Sequence, residues 1–113
     1  MSTIFTKIIN KEIPADIIYE DNDYLAFKDI APQAPIHILI IPKKKIATVN
    51  DMQKTDSHTF GGLFFIAKKI ARELNIDEQG FRLVMNCNEY GGQSVNHIHL
   101  HLLGGRQMGW PPG

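Results

Sequence analysis

Three histidines occupy alternate positions near the end of the chain, in the run Asn96-His97-Ile98-His99-Leu100-His101-Leu102-Leu103. The sequence holds five histidines, so these three, packed into five consecutive residues, form a pattern that needs a reason. Side chains of a β-strand alternate between its two faces. That period sends Ile98, Leu100 and Leu102 to one face, toward a core, and lines the three imidazoles along the other. Neutral imidazole is a competent nucleophile, and its covalent adducts are labile enough to turn over. Its second ring nitrogen must be held by an acceptor, which fixes the tautomer. A neighbouring imidazole can hold that nitrogen or supply a proton. His99, flanked on both sides, is the candidate nucleophile.

A metal reading fits the spacing less well. Histidines two apart on a strand lie ~6.6 Å apart at Cα and can share a zinc ion, but His97 and His101 are ~13 Å apart. Cys87 stands alone, and no histidine or aspartate flanks the row, so no fourth ligand suggests itself. No metal or other cofactor is therefore assigned. Three idle histidines, if buried, would need partners for six ring nitrogens.

The preceding segment, Tyr90-Gly91-Gly92-Gln93-Ser94-Val95-Asn96, complements a nucleophile. Glycines permit close backbone approach, and exposed N–H groups can form an anion-binding nest. Gln93 and Ser94 add neutral side-chain donors. A glycine-rich loop beside an imidazole row reads as a phosphate cradle.

The elements that must position these groups follow from periodicity. Ile4, Phe5, Ile8 and Ile9 predict a short amphipathic helix over Thr3–Lys11, capped by Thr3 and ended before Pro14. Asp16–Glu20 and Tyr24–Asp29 predict a hairpin around Asp21-Asn22-Asp23. Ala31–Pro35 is a proline-stiffened loop. Ile36–Ile41 reads as a central strand containing His37, with Pro42 ending it and Lys43-Lys44-Lys45 as a solvated turn. Phe60, Leu63, Phe64, Ala67, Ile70, Ala71 and Leu74 recur at helical spacing within a helix over Thr55–Leu74. Phe81–Asn86 reads as a strand, Cys87–Gly92 as a loop and Val95–Leu103 as the histidine strand, stopped by Gly104-Gly105. The expected class is α+β, with a five-stranded, mainly antiparallel sheet, one long helix and a short N-terminal helix. The 113 residues suit one domain over 1–113, with a C-terminal tail from about residue 104.

Twelve basic and twelve acidic residues give no net charge, which argues against a nucleic-acid binder relying on many phosphate contacts. No apolar run approaches the ~20 residues of a membrane span, and the N-terminal residues carry no secretory signal. A single cysteine suits a reducing, cytoplasmic setting. On composition alone, Phe5, Ile8, Phe27 and Ile30 read as core, Asp29 as a turn residue and His37 as a core histidine.

The run His97–Leu103 matches at every position the signature of the histidine triad family, in which histidines alternate with apolar residues. The resemblance extends through Thr3–Ile9, Ile13–Ala15, Ala26–His37, Ile41–Lys44, Gly91–Ser94 and Gly104–Gly113, and is to the Hint branch. It implies a homodimeric purine nucleoside phosphoramidase acting on nucleotides of AMP or GMP type. It further implies that His99 attacks the α-phosphorus, that His97 orients His99, that His101 faces the phosphate or leaving group, and that His37 hydrogen-bonds the row from the adjacent strand. Ser94, Gln93, Gly92, Val95 and Asn86 would contact phosphate or leaving group, Asp29 the ribose, and Ile30, Phe5, Ile8 and Phe27 the base. Trp110, in a tail too irregular to build its own core, would dock on the partner near its site. Asn96, Lys28 and Lys45 depart from common residues of the family and bear on substrate preference. A dinucleoside polyphosphate hydrolase of another branch, and a nucleotide- or partner-binding module with incidental hydrolysis, are the alternatives.

Overall fold

The computed structural model describes residues 2–113. Helix α1 (Ile4–Ile9) starts where a reciprocal cap satisfies its first amides: the Thr3 hydroxyl accepts the Thr6 N–H, and the Thr6 hydroxyl accepts the Thr3 N–H. It ends two residues before the expected Lys11. Lys11 instead takes φ +61°, and the Lys11 and Glu12 N–H groups turn back onto the carbonyls of Ile8 and Lys7. That is a left-handed stop with lysine in place of the usual glycine.

Strands β1 (Ile17–Glu20) and β2 (Tyr24–Lys28) form the expected hairpin, with Asp21 Oδ1 accepting the N–H groups of Asp23 and Tyr24 at 2.8 Å each. β3 (Ile36–Pro42) follows and is buried from His37 onward, as a central strand should be. With β4 (Phe81–Val84) and β5 (Leu100–Gly104) the sheet has the order β1-β2-β3-β5-β4, antiparallel throughout. The long helix, α2 (Ser57–Glu73), lays Leu63, Ile66, Ala67, Ile70 and Ala71 against one sheet face, where Ala26, Ile38, Ile40, Ile98, Leu100 and Leu102 meet them. Each fully buried leucine or isoleucine there contributes roughly 1.5–3 kcal/mol. Phe64, assigned by periodicity to this stripe, lies at its margin and is 48% exposed; Ile66 takes the buried place. No helix among the described residues is long and apolar enough to cross a membrane.

The opposite sheet face carries Leu25, Phe27, Leu39 and Ile41, and α1 covers it with Phe5 and Ile8. Strand parity puts His37 on this face as well. The sheet thus separates an aliphatic core under α2 from a face where α1 meets the histidines.

Two local readings are corrected. The histidine strand is shorter than Val95–Leu103: ladder pairing begins only at Leu100, opposite Ile40, so His97 and His99 lie before it. Pro42 explains the difference. It is the last residue of β3, paired with Tyr24, and has no N–H for a further rung toward residues 97–99. Those residues are fastened otherwise, with the Ile98 N–H donating to Ile46 O at 2.8 Å. Second, Phe81–Asn86 is a strand only to Val84, and the following loop contains a one-turn helix, α3 (Asn88–Gly91). Lys43-Lys44-Lys45 is exposed at Lys44 and Lys45, as a solvated turn should be, and is tied down by Lys43 Nζ pairing with Glu20 at 2.9 Å and Lys44 Nζ with the buried Asp56 at 2.6 Å.

Candidate active site

Alternation survives through His97–His101 although ladder pairing begins only at Leu100. Ile98, Leu100 and Leu102 enter the α2 core, while the Phe5 ring stands edge-on to His97 and His99 at centroid distances of 5.9 and 5.0 Å. His97 is fully buried. Its Nε2–H donates to the Pro42 carbonyl at 2.7 Å, and its Nδ1 is buried with no partner among the described residues. His99, 3% exposed, donates Nδ1–H to the His97 carbonyl at 2.8 Å. A carbonyl can only accept, so the proton sits on Nδ1 and the lone pair on Nε2. The group holding the tautomer is therefore the backbone of His97. The holder is thus a carbonyl rather than the neighbouring imidazole that the spacing offered.

The third histidine is set differently. The Gln33 N–H donates to His37 Nδ1 at 3.0 Å, which leaves the His37 proton on Nε2. That Nε2 lies 2.9 Å from His101 Nδ1 and 3.4 Å from Asp29 Oδ2. His101 Nδ1 thus accepts, and its own proton is on Nε2. His37 touches the third ring of the row, and the His99 and His101 ring centroids are 5.0 Å apart.

Burial holds all four rings below the ordinary imidazole range. At His37 the Asp29 carboxylate opposes the effect, and at His99 the carbonyl bond does. His101 is pushed down to about 4, by burial and then by the neighbouring His99 and His37. Four neutral imidazoles at neutral pH give one unprotonated nucleophilic nitrogen and one outward N–H.

Asp29, read from composition as a turn residue, and His37, read as core, meet because β2 and β3 are adjacent: Lys28 pairs with Ile38, and the Asp29 N–H donates to the His37 carbonyl at 3.0 Å. The short loop between two antiparallel strands was the available signal. It also overturns the statement that nothing flanks the row. Among the described residues, Asp29, His37 and His101 bring three candidate metal-ligand atoms within 4.8 Å. The tautomers oppose an ion there. His37 faces the group with its protonated nitrogen, and moving that proton to Nδ1 would set it against the Gln33 N–H.

The cradle differs from its expected form. The Gly92 and Gln93 N–H groups close α3, donating to Glu89 and Asn88 carbonyls at 3.0 Å each. The Gln93 amide is also consumed: Nε2 donates to Ala47 O at 2.7 Å and Val95 O at 2.9 Å, while Oε1 accepts the Asn88 N–H. Gln93 therefore staples the loop and has no donor left for a phosphate. The donors left open are at Ser94, which is exposed, and Val95, half-buried against the α1 cluster. Asn86 is half-buried beneath Gly91, where a Cβ would meet it at 3.7–3.9 Å.

Of the expected base-binding residues, Phe5, Ile8 and Phe27 are buried together, with Phe5 and Phe27 in edge contact at 5.5 Å. Ile30 stands apart at 97% exposure and Trp110 at 83%. A cleft of about 590 Å³ lies between β4 and the tail, lined by Ile76, Phe81, Arg82, Arg106 and Met108 among others, and includes none of the histidines.

This fold and histidine arrangement place the protein in a known class: the chain belongs to the HIT domain family, whose model matches residues 10–108. Among individual relatives, it is 55% identical over 107 residues to the purine nucleoside phosphoramidase of Escherichia coli, covering 95% of this chain and 90% of that protein. A HIT family hydrolase from Legionella pneumophila superposes with a TM-score of 0.97 at 56% identity, covering 99% of this chain and all of that one. A histidine triad nucleotide-binding protein from Candida albicans gives 0.82 at 32% identity, covering 97% and 83%.

Proposed function

We propose that this protein is a purine nucleoside phosphoramidase that cleaves P–N bonds through a nucleotidyl-histidine on His99. The observation that carries the reading is the His99 tautomer: Nδ1–H tied to the His97 carbonyl leaves an Nε2 lone pair beside His101. The name of the Escherichia coli relative supports the substrate class. In the first step His99 Nε2 bonds to phosphorus, and the P–N electron pair departs on nitrogen. An amine leaves poorly as an anion, so it takes a proton as it goes. His101 Nε2 is the donor. An anionic phosphate beside that ring favours its charged form: Nδ1 takes a proton from solvent, the His37 Nε2–H turns to Asp29 Oδ2, its second acceptor, and donation from Nε2 then leaves a neutral ring rather than an anion. In the second step water attacks phosphorus, returns a proton to His101 Nε2 and releases the nucleoside monophosphate from His99. Ser94 and the Val95 N–H hold the phosphate, with Asn86 beside them. Asp29 accepts from the ribose hydroxyls, and Ile30 and the Phe5-Ile8-Phe27 cluster border the base.

The reading includes a homodimer. β4 is an edge strand with an unpaired ladder side, and Trp110 lies exposed in the tail. The single cysteine supports a cytoplasmic setting. The test is steady-state turnover of an adenosine phosphoramidate against a diadenosine polyphosphate, wild type beside His99→Ala. The phosphoramidate should be preferred, and the variant should lose at least about a thousandfold in kcat/KM. Near-normal turnover by the variant ends the proposal.

A further inference from the structure

We infer that Arg106 is a positioning residue: from the C-terminal tail it fixes Gln33, and through Gln33 the proton positions of His37 and His101. The inference rests on the reading of His101 as the proton donor to the leaving nitrogen. Arg106 Nη2 donates to the Gln33 carbonyl at 3.0 Å, while Nη1 donates to Gln107 O at 3.2 Å. The same Gln33 presents its N–H to His37 Nδ1 at 3.0 Å, and His37 Nε2 reaches His101 Nδ1 at 2.9 Å. The guanidinium fork is thus two residues removed from the proton it governs.

Gln33 needs such a tie. Its loop has Pro32 and Pro35, which carry no N–H, and the other side-chain bonds in the loop are local: Ala31 N–H to Asp29 Oδ1, and Gln33 Nε2 to Ala31 O. Without an outside hold, the Gln33 amide can swing from His37. The His37 proton is then free to settle on Nδ1, its Nε2 becomes an acceptor, and His101 answers by moving its own proton to Nδ1. When His101 then takes its second proton, its Nδ1–H is held by the His37 Nε2 lone pair, which stabilises the charged ring and makes it a weaker acid toward the leaving nitrogen.

A second contact, independent of Arg106, shows that the tail is built against this loop. Gly105 has φ +91°, and a Cβ there would lie 2.9 Å from Pro35 Cβ. Glycine lets the tail backbone approach Pro35 closely and delivers the next residue, Arg106, to Gln33. The bond itself is exposed, so its expected effect is moderate.

The experiment compares wild type, Arg106→Met and Arg106→Lys in the full chain. Ring-nitrogen NMR shifts report each tautomer directly. Wild type should show His37 and His101 protonated at Nε2, Arg106→Met a mixture at both rings, and Arg106→Lys a pattern nearer wild type. Kinetics then separate position from mere stability. With an alkylamine phosphoramidate, Arg106→Met should lower kcat about three- to tenfold at unchanged KM, and with an acidic arylamine, which needs less protonation, by less than about twofold. Gln33→Pro removes the N–H itself and should reproduce the nitrogen shifts, so the test survives if Arg106→Met folds poorly. Wild-type nitrogen shifts in Arg106→Met overturn the inference, whatever the rates. Altered shifts with equal slowing on both substrates overturn instead the reading of His101 as donor.

Discussion

Replacing His101 by asparagine should flatten the acid side of the stability profile. In the folded protein the ring is held near 4, against 6.5 for an ordinary histidine. Below the ordinary value the unfolded chain therefore binds a proton that the folded chain refuses. Stability tied to this ring is intact above pH 6.5, declines as pH falls and is lost by about pH 4. At 1.36 kcal/mol per pH unit the full shift amounts to roughly 3 kcal/mol. Solvent reaches part of the ring, so roughly 2 kcal/mol is the expected share. Urea unfolding at a series of pH values, at one protein concentration because any association adds stability, measures it. Between pH 7 and pH 4.5 wild type should lose roughly 2 kcal/mol more than His101→Asn. His37, His97 and His99 are also held low by burial, so the variant keeps a gentler acid slope of its own. Parallel curves for the two proteins would show that His101 titrates alike in folded and unfolded chains, and would remove the basis for treating it as a neutral N–H at rest.

Gln93→Leu should cost about 2–3 kcal/mol, since it deletes one bond to the Asn88 N–H and strands the Ala47 and Val95 carbonyls. It should also lower kcat by shifting Ser94 and Val95; unchanged urea midpoints would contradict the staple. A dimer built on β4 and the tail should sediment at twice the 12.8 kDa chain mass at micromolar concentration, and deletion of residues 110–113 should weaken it. A monomer mass for the intact chain would refute that assembly.

Periodicity made much of the frame legible. Ile4, Phe5, Ile8 and Ile9 marked α1 and the three-four spacing of Leu63, Ala67, Ile70 and Ala71 marked α2, because burial on one face of a regular element leaves a period in the residue types, while a nearly continuous apolar run marked β3, which is buried on both faces. The ends of elements were less legible. The stop after Ile9 depends on a lysine in left-handed geometry, and the start of β5 depends on a proline in a different strand. Neither condition is local to the residues being read.

The same distinction runs through the site, and it explains why a row of like residues does not act as a row. Spacing presents His97, His99 and His101 as equivalent. Their protons are placed by groups that spacing cannot reveal: the Pro42 carbonyl for the first, the His97 carbonyl for the second, and for the third a ring on β3 whose own proton is set by the Gln33 amide. Two of these controllers are backbone atoms with no residue-type signature. The third, His37, was legible through the family resemblance, and the pairing of β3 with β5 sets it beside His101. Gln93 makes the complementary point. Its amide has the right chemistry for a phosphate, yet three backbone groups of its own loop claim it first. Residue type names what a side chain can donate or accept. Catalytic assignment requires knowing which of those capacities the fold has already used, and here the His99 lone pair and the His101 N–H are among the unspent ones.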